Sequence, residues 1–476
     1  MASASGRRTG CAGRTGPRPI DSHDCIWDGI GPGEGRMSGG LTAALMFPAL
    51  FLFIFLGMPV SFSLAAVALL FGIGTFGEAI GSIFFDRLLG ISTASMLAAV
   101  PLFIFMGAML ERSAIAERLF RVMQIWLGFL PGGLAIATIA MSAVFAAATG
   151  IIGAVEAVIG MMAIPAMMKL GYNKGLISGT ICAGGSLGTI IPPSIVVIIY
   201  ASLAELSIGE LFAGIIVPGG LMVVLFILYI FVRAALRPQD APRAPPESYA
   251  LPLREKLAIT VSGLAPAVVL VAAVLGAILA GIASPTEAAA VGSVGAILLT
   301  LAYREFSFDL LRASLRKTLT VTAMVMMIVV GGNMFSSVFI VIGGSTLVGG
   351  LVDDLQLSPA QMVALFLFIV FLLGFVLDWI TVVLICLPIF LPQLKAAGVD
   401  GIWFAVMVVI VIQTAYLTPP MAPAVFYLRT IAPPEMTYRD MYRGVAPFVV
   451  LEAIVLLIVA LVPEAATYLP KVLVGF

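Results

Sequence analysis

Charge is scarce in this sequence. Asp, Glu, Lys and Arg together make up 11% of 476 residues, less than half of the roughly 25% usual in a soluble domain. A single water-soluble core is therefore excluded. The charges balance, with 25 Lys and Arg against 25 Asp and Glu, so the basic excess that phosphate-backbone binding needs is missing and nucleic acid is not an expected partner. Histidine is nearly absent: His23 is the single one and sits in a polar N-terminal stretch. No imidazole is left in the apolar chain for acid–base work or metal ligation, which argues against a membrane-embedded enzyme. The four cysteines, Cys11, Cys25, Cys182 and Cys386, lie far apart. They offer neither a disulfide framework nor a zinc spacing, and read as packing residues.

What the chain has is apolar length. Hydrophobic residues account for 61% of it, and the mean hydropathy is +1.15. A crossing helix takes ~20 mostly apolar residues plus a connection, which leaves room for roughly ten to thirteen crossings. An all-α polytopic membrane protein is expected.

Residues 1–40, rich in Gly, Ser, Arg and Asp and without apolar periodicity, are expected to form a disordered leader. No apolar stretch follows its charges as in a signal peptide, and the apolar chain begins just after Met37, the expected true start. The first half is read as 41–232. Gly57-Met58-Pro59 divides its opening uncharged run into two crossings or one long helix with a turn. Residues 84–96 carry Asp86 and Arg87 and make a poor span, 97–110 return to the membrane, and 111–126 mix charges with apolar residues as an interfacial amphipathic helix does. Spans follow near 132–149, 175–204 and 211–232. Residues 233–256 form a basic linker with five prolines.

The second half, 257–465, places spans near 257–281, 286–302, 318–341, 360–377, 401–428 and 444–462, before a C-terminal tail at 466–476. The linker and the cluster Arg304, Arg312, Arg316 and Lys317 are expected in cytoplasmic loops by the positive-inside rule. Ser284-Pro285-Thr286-Glu287 has the spacing of a capping box with proline at the first helical position.

The two halves share punctuation. One runs through Pro165 and Leu170-Gly171-Tyr172-Asn173-Lys174 to an uncharged helix ending at Ile191-Pro192-Pro193-Ser194. The other runs through Pro388, Pro392 and Ala397-Gly398-Val399-Asp400 to an uncharged helix ending at Thr418-Pro419-Pro420-Met421. Consecutive prolines remove backbone donors and leave carbonyls unbonded in a medium that cannot hydrate them. Paired interruptions of this kind mark secondary transporters, in which broken helices of two repeats meet near the midplane. The expected breaks are 188–194 and 414–421.

Before each break lies a short segment that suits a re-entrant hairpin, about 149–169 and about 374–395. Glu156 and Asp378 are their carboxylates, and each costs ~2.5–3.5 kcal/mol at a helix centre unless hydrated, protonated or paired. Both are functional candidates, with capping or an interfacial position as the plainer reading. Gly179, Gly184, Gly185 and Gly188 allow close approach, either of helices to each other or of backbone to an ion or substrate.

With these residues in view, the sequence resembles the large membrane subunit of tripartite ATP-independent periplasmic (TRAP) transporters, the DctM type. The resemblance is carried by Gly57-Met58-Pro59-Val60-Ser61, by the run from Ala183 to Ser194, by Pro285-Thr286-Glu287-Ala288-Ala289-Ala290-Val291-Gly292 and by Thr418-Pro419-Pro420. It implies an elevator-type transporter of the bacterial inner membrane, built from two inverted-type repeats with two re-entrant hairpins and two broken helices. It also implies import of a small carboxylate delivered by a periplasmic solute-binding protein, sodium as the coupling ion, no cofactor, and a separate small four-helix membrane subunit as partner.

Carried over residue by residue, one cation site would involve Thr149, Gly150, Gly153, Gly188 and Pro192, and the other Gly374, Asp378, Thr381, Thr418 and Pro419. The substrate would sit between the hairpin tips, facing Ile151, Pro193, Ser194, Trp379 and Pro420. Many relatives carry Ser-Gly-Ser-Ser at the first tip, where this chain has Thr149-Gly150-Ile151-Ile152. Fewer hydroxyls leave backbone carbonyls as the main ligands for a hard cation, and a titrating Glu156 would make coupling partly proton-dependent. The competing readings are a single-chain carboxylate symporter, a membrane-embedded transferase and a structural scaffold.

Overall fold

The computed structural model describes residues 35–150 and 152–473. The leader with Cys11, Cys25 and His23 lies outside these, except that residues 35–40 already belong to the first helix. The described residues are helical, with no strand among them.

In the first half, α1 (Gly35–Phe55), α2 (Val60–Phe76), α3 (Ile80–Thr93), α4 (Ala99–Glu111) and α5 (Ile115–Leu127) precede a hairpin of α6 (Gly133–Thr149) and α7 (Ile152–Lys169). A broken helix follows, α8 (Lys174–Ser186) and α9 (Ile195–Ala204), and then the long α10 (Ile208–Leu236). The second half opens with α11 (Leu253–Gly263), α12 (Ala265–Leu279), α13 (Pro285–Ala302), α14 (Phe308–Val341) and α15 (Gly344–Asp354). It then repeats the series: hairpin α16 (Pro359–Leu373) and α17 (Trp379–Ala396), broken helix α18 (Gly401–Leu417) and α19 (Pro423–Ile431), long helix α20 (Tyr438–Leu461), and a final α21 (Glu464–Leu473).

Six described helices are long and apolar enough to cross a membrane, or up to eight if each bent pair counts as one span. This is fewer than the room for ten to thirteen. The difference lies in apolar helices of 10–17 residues, among them α6, α9, α16 and α18, which fall short of the ~20 residues a crossing requires. The span expected at 132–149 and the hairpin expected at 149–169 are the two arms of one hairpin, α6 packing on α7. Likewise 360–377 and 374–395 become the arms α16 and α17.

Several boundaries depart from the sequence reading. Arg312, Arg316 and Lys317 sit on the first turns of α14 rather than in a loop, because Ser307 caps that helix by accepting from the Leu310 N–H at 3.1 Å. Lys317 pairs there with Glu111. Helix α15 was not anticipated, and the expected tail forms α21, which packs along α10. The stretch 97–126 is α4 and the amphipathic α5, bent by 66°. The capping box forms as read, with Ser284 N–H donating to Glu287 at 2.8 Å and Glu287 N–H to Ser284 Oγ at 3.3 Å.

Helices α6, α8 and α18 are buried along nearly their whole length and make the inner body. Around it, α2 packs on α14, α13 on α4 and α11 on α5. Many large apolar side chains of this outer set are exposed, among them Leu70, Val269 and Leu319, as a surface in contact with lipid requires. The tightest crossing joins α8 to α20: a Cβ built on Gly444 would lie 1.9 Å from the Gly175 carbonyl oxygen, and one on Gly179 would lie 2.1 Å from that of Gly444. Only glycine permits that separation.

Candidate functional site

Both hairpin tips open onto one cavity of about 430 Å³. Gly150 and Gly153 of the first tip and Gly374, Asp378 and Trp379 of the second line it. Pro59-Val60-Ser61 at the start of α2 and residues of α14 close the opposite side.

Each tip is seated on the break of the broken helix that follows it. At the first, Gly150 takes a left-handed conformation, φ +61°, and a Cβ there would meet the Pro193 carbonyl oxygen at 3.1 Å. At the second, a Cβ on Gly374 would lie 2.7 Å from that of Ala415. Both Pro–Pro peptide bonds, 192–193 and 419–420, are cis. The halves also touch crosswise, since a Cβ on Gly153 would lie 3.0 Å from the ring of Tyr427 on α19.

The two carboxylates are held in opposite ways. Asp378 is the N-cap of α17: its Oδ2 accepts from the N–H groups of Ile380 at 3.1 Å and Thr381 at 3.3 Å, and its Oδ1 from the Thr381 hydroxyl at 2.5 Å. That satisfies orphan donors and places negative charge at the positive end of the helix dipole. Glu156 is fully buried, and neither oxygen has a hydrogen-bond partner among the described residues. It lies against α8 at Gly185, where a Cβ would come 2.0 Å from Glu156 Cγ.

The other residues singled out by the sequence divide into cavity and frame. Thr149 is buried and donates to the Phe145 carbonyl at 3.0 Å. Ser194 is buried and donates back to the Thr189 carbonyl at 2.7 Å, and Thr418 donates to the Thr414 carbonyl at 2.6 Å. Gly188 is buried in the short turn before the first break. Pro192 lines a separate apolar groove with Ala143, Gly219 and Val268. Pro193 is buried, while Pro419 and Pro420 are exposed. Ile151 lies outside the described residues.

Sequence reasoning missed three features. Tyr416 and Tyr427 line the cavity, and their only sequence signal was proximity to Thr418-Pro419-Pro420. A buried polar bridge joins the two broken helices: Thr189 donates to Gln413 Oε1 at 3.1 Å, Gln413 Nε2 to Ser186 Oγ at 3.0 Å, and Ser186 to Glu452 Oε1 at 3.3 Å. Third, α2, α9 and α19 begin at the cavity, at Val60, Ile195 and Pro423, with no side-chain hydrogen bond capping them. Helices α3, α4, α5, α6, α11, α12 and α15 lack one as well, whereas α8, α10, α13, α14, α16, α17, α18 and α20 carry one. The first-turn N–H groups of α2 and α9 and a dipole end of roughly +0.5 charge suit an anion, whereas α19 opens on Pro423, which has no N–H, and its Val425 N–H donates to the Ala422 carbonyl at 2.8 Å. Among the described residues no Lys or Arg lines the cavity, so its positive potential comes from helix N-termini, that of α17 being occupied by Asp378.

The sequence pattern of the tripartite ATP-independent periplasmic transporter DctM component matches residues 47–465. A C4-dicarboxylate TRAP transporter large permease protein of Pseudomonas aeruginosa is 31% identical over 376 residues, covering 79% of this chain and 86% of the relative. An ectoine/5-hydroxyectoine large permease of Ruegeria pomeroyi is 30% identical, covering 90% and 98%, and a sialic acid large permease of Vibrio cholerae is 29% identical, covering 89% and 97%. Among solved structures, the YdaH transporter of Alcanivorax borkumensis superposes with a TM-score of 0.57 at 14% identity, covering 88% of this chain and 98% of that one. That likeness concerns the fold alone.

Proposed function

Since the chain belongs to the family of DctM components of tripartite ATP-independent periplasmic transporters, we propose that it is the large inner-membrane subunit of a secondary transporter that imports a small organic anion. It is a transport protein, not an enzyme. A periplasmic solute-binding protein hands over the cargo, a small four-helix membrane protein completes the membrane part, and a sodium gradient drives the cycle. The relatives are named for C4-dicarboxylates, ectoines and sialic acid, and these names support a small carboxylate-bearing cargo here.

The observation that carries this reading is the convergence of both hairpin tips and three uncapped helix N-termini on one cavity without basic side chains. A broken helix supplies donors to an anion at its new N-terminus, and the carbonyls it frees on the other side are available to a cation. The cation ligands would come from the tip carbonyls around Gly150 and Gly374, close to the breaks. The two hairpins and two broken helices would form a moving body that slides against α2, α4 and α14.

The test starts with the tagged chain extracted from its own host in mild detergent, with co-purifying proteins identified by mass spectrometry. A stoichiometric small membrane protein, and sodium-driven uptake in liposomes only when the binding protein is added, are the expected results. A chain that purifies alone and still drives uptake without a binding protein would replace this reading with a single-chain symporter.

A further inference from the structure

Away from the hairpin tips, a second cavity of about 560 Å³ opens between α10 and α20 at the end of α10 that leads into the basic linker. Its wall on α10 is Leu225, Leu228, Val232 and Leu236, with Leu451 of α20 opposite. Positions 225, 228, 232 and 236 fall on one face of a helix, and Leu228, Val232 and Leu236 are exposed on it. From Leu225 to Leu236 this face rises roughly 16 Å at ~1.5 Å per residue, about half of a ~30 Å hydrocarbon core. A crossing helix of a partner needs a groove along the whole core. A groove one leaflet deep matches a single acyl chain.

The mouth of the groove is basic. Arg233 and Arg237, one turn apart, line it, and no acidic side chain does. Arg233 is held in place, its Nε and Nη2 both 3.1 Å from Asp240 Oδ2 and its Nη1 donating to the Tyr229 hydroxyl at 2.8 Å. The Tyr229 ring, part of the same wall, stands edge-on to Phe448 of α20 with centroids 5.1 Å apart. Asp240 neutralises Arg233, whereas Arg237 is exposed and has no ion pair among the described residues. One positive charge is therefore left over where the apolar groove meets the membrane edge. A snorkelling arginine needs no groove below it, and a free anion needs no leucine face. A phospholipid uses both, with its phosphate at the guanidinium and a chain on the apolar wall. The unneutralised charge favours a lipid whose headgroup carries no cation of its own.

We propose that this groove binds an anionic phospholipid, its headgroup phosphate paired with Arg237 and one acyl chain lying along Leu225 to Leu236. The site is independent of the cargo and of its coupling ion. It adjoins the inner body, since the Asp240 carbonyl accepts from the N–H of Asn173 at 2.9 Å and Asn173 caps α8.

The chain, with any co-purifying membrane subunit, is delipidated in detergent, and binding of dioleoylphosphatidylglycerol is read by native mass spectrometry and by Tm. Dioleoylphosphatidylcholine and glycerol 3-phosphate serve as controls. The expected result is retention of phosphatidylglycerol with a raised Tm, weaker retention of phosphatidylcholine, and no effect of glycerol 3-phosphate. Arg237→Gln, at an exposed position, should weaken binding about tenfold, as loss of a hydrogen bond to a charged group does. Leu228→Trp, which fills the groove with another apolar side chain, should weaken it as well.

No retention of phosphatidylglycerol, equal retention of the two lipids, or unchanged binding by either variant overturns the proposal. So does an equal rise in Tm with glycerol 3-phosphate, which would mark an anion site without a chain. A benzophenone probe at position 228 should capture the added lipid; capture of the co-purifying subunit instead would assign the groove to a protein partner and overturn the lipid site.

Discussion

The two hairpins share a shape and differ in where the carboxylate sits. In the second, Asp378 stands at the tip and every hydrogen bond it makes is to the first turn of its own helix. In the first, the tip has no acidic side chain among its described residues, and Glu156 lies one turn into α7, buried against α8 at Gly185 with no hydrogen-bond partner among the described residues. A carboxylate at a helix N-terminus is stabilised locally and survives any motion that carries the hairpin as a unit. A buried one without donors depends on what surrounds it and responds when the surroundings change. The same topology thus holds one acid bonded to the first turn of its own helix and another buried without a hydrogen-bond partner among the described residues.

The largest expected effect tests the fixed acid. Asp378→Ala leaves the N–H groups of Ile380 and Thr381 without their acceptor, at about 0.5–2 kcal/mol for a lost cap, and directly at the cavity it should abolish cargo uptake in liposomes. Asp378→Asn keeps an acceptor and should fold as wild type, so uptake by the Asn variant separates capping from charge. Next is Gly150→Ala, which forces an L side chain into the left-handed region at about 1–2 kcal/mol and crowds the Pro193 carbonyl; a lower Tm and slower uptake are expected. Gly374 has φ −62° at the end of α16, so Gly374→Ala should fail through contact with Ala415 and be partly rescued by Ala415→Gly. If both glycine variants are rescued equally, the contrast between the tips is lost.

Glu156→Gln removes the titratable group while keeping its volume. Uptake should persist, with a flatter dependence on pH than wild type; an unchanged profile would remove Glu156 from the coupling scheme. The smallest effect is expected from Ser284→Ala, far from both tips, which breaks the capping box of α13 at about 1 kcal/mol and should lower Tm slightly with uptake unaffected.

Proline and capping signals act through the local backbone, and those were legible. Gly57-Met58-Pro59, Pro192-Pro193 and Pro419-Pro420 all interrupt helices where the sequence placed the interruptions, and Ser284 with Glu287 caps α13. The resemblance to the DctM type rested on those same stretches. The second arm of each hairpin was legible and the first was not, because a 17-residue apolar helix such as α6 reads as a crossing until its partner is seen folding back on it. Nor was the bridge from Thr189 through Gln413 and Ser186 to Glu452, in which every bonded pair is more than 200 positions apart in the chain. Periodicity carries no information about such pairings. The uncapped N-termini could have been found by asking which breaks lack Ser, Thr, Asp or Asn in the capping position; Ser194 would still have misled, since its hydroxyl turns back to Thr189.

The glycine crossing of α8 and α20 bears on how such permeases can be recombined. With Gly175, Gly179 and Gly444 in backbone contact and Ser178 and Phe448 packed beside them, the two helices have little side-chain volume between them to absorb a mismatch, and a shift of a few tenths of an ångström on one is passed to the other. Chimaeras that take α8 from one relative and α20 from another will inherit two surfaces shaped for different neighbours. Exchanged together, the pair should transfer as a single cassette.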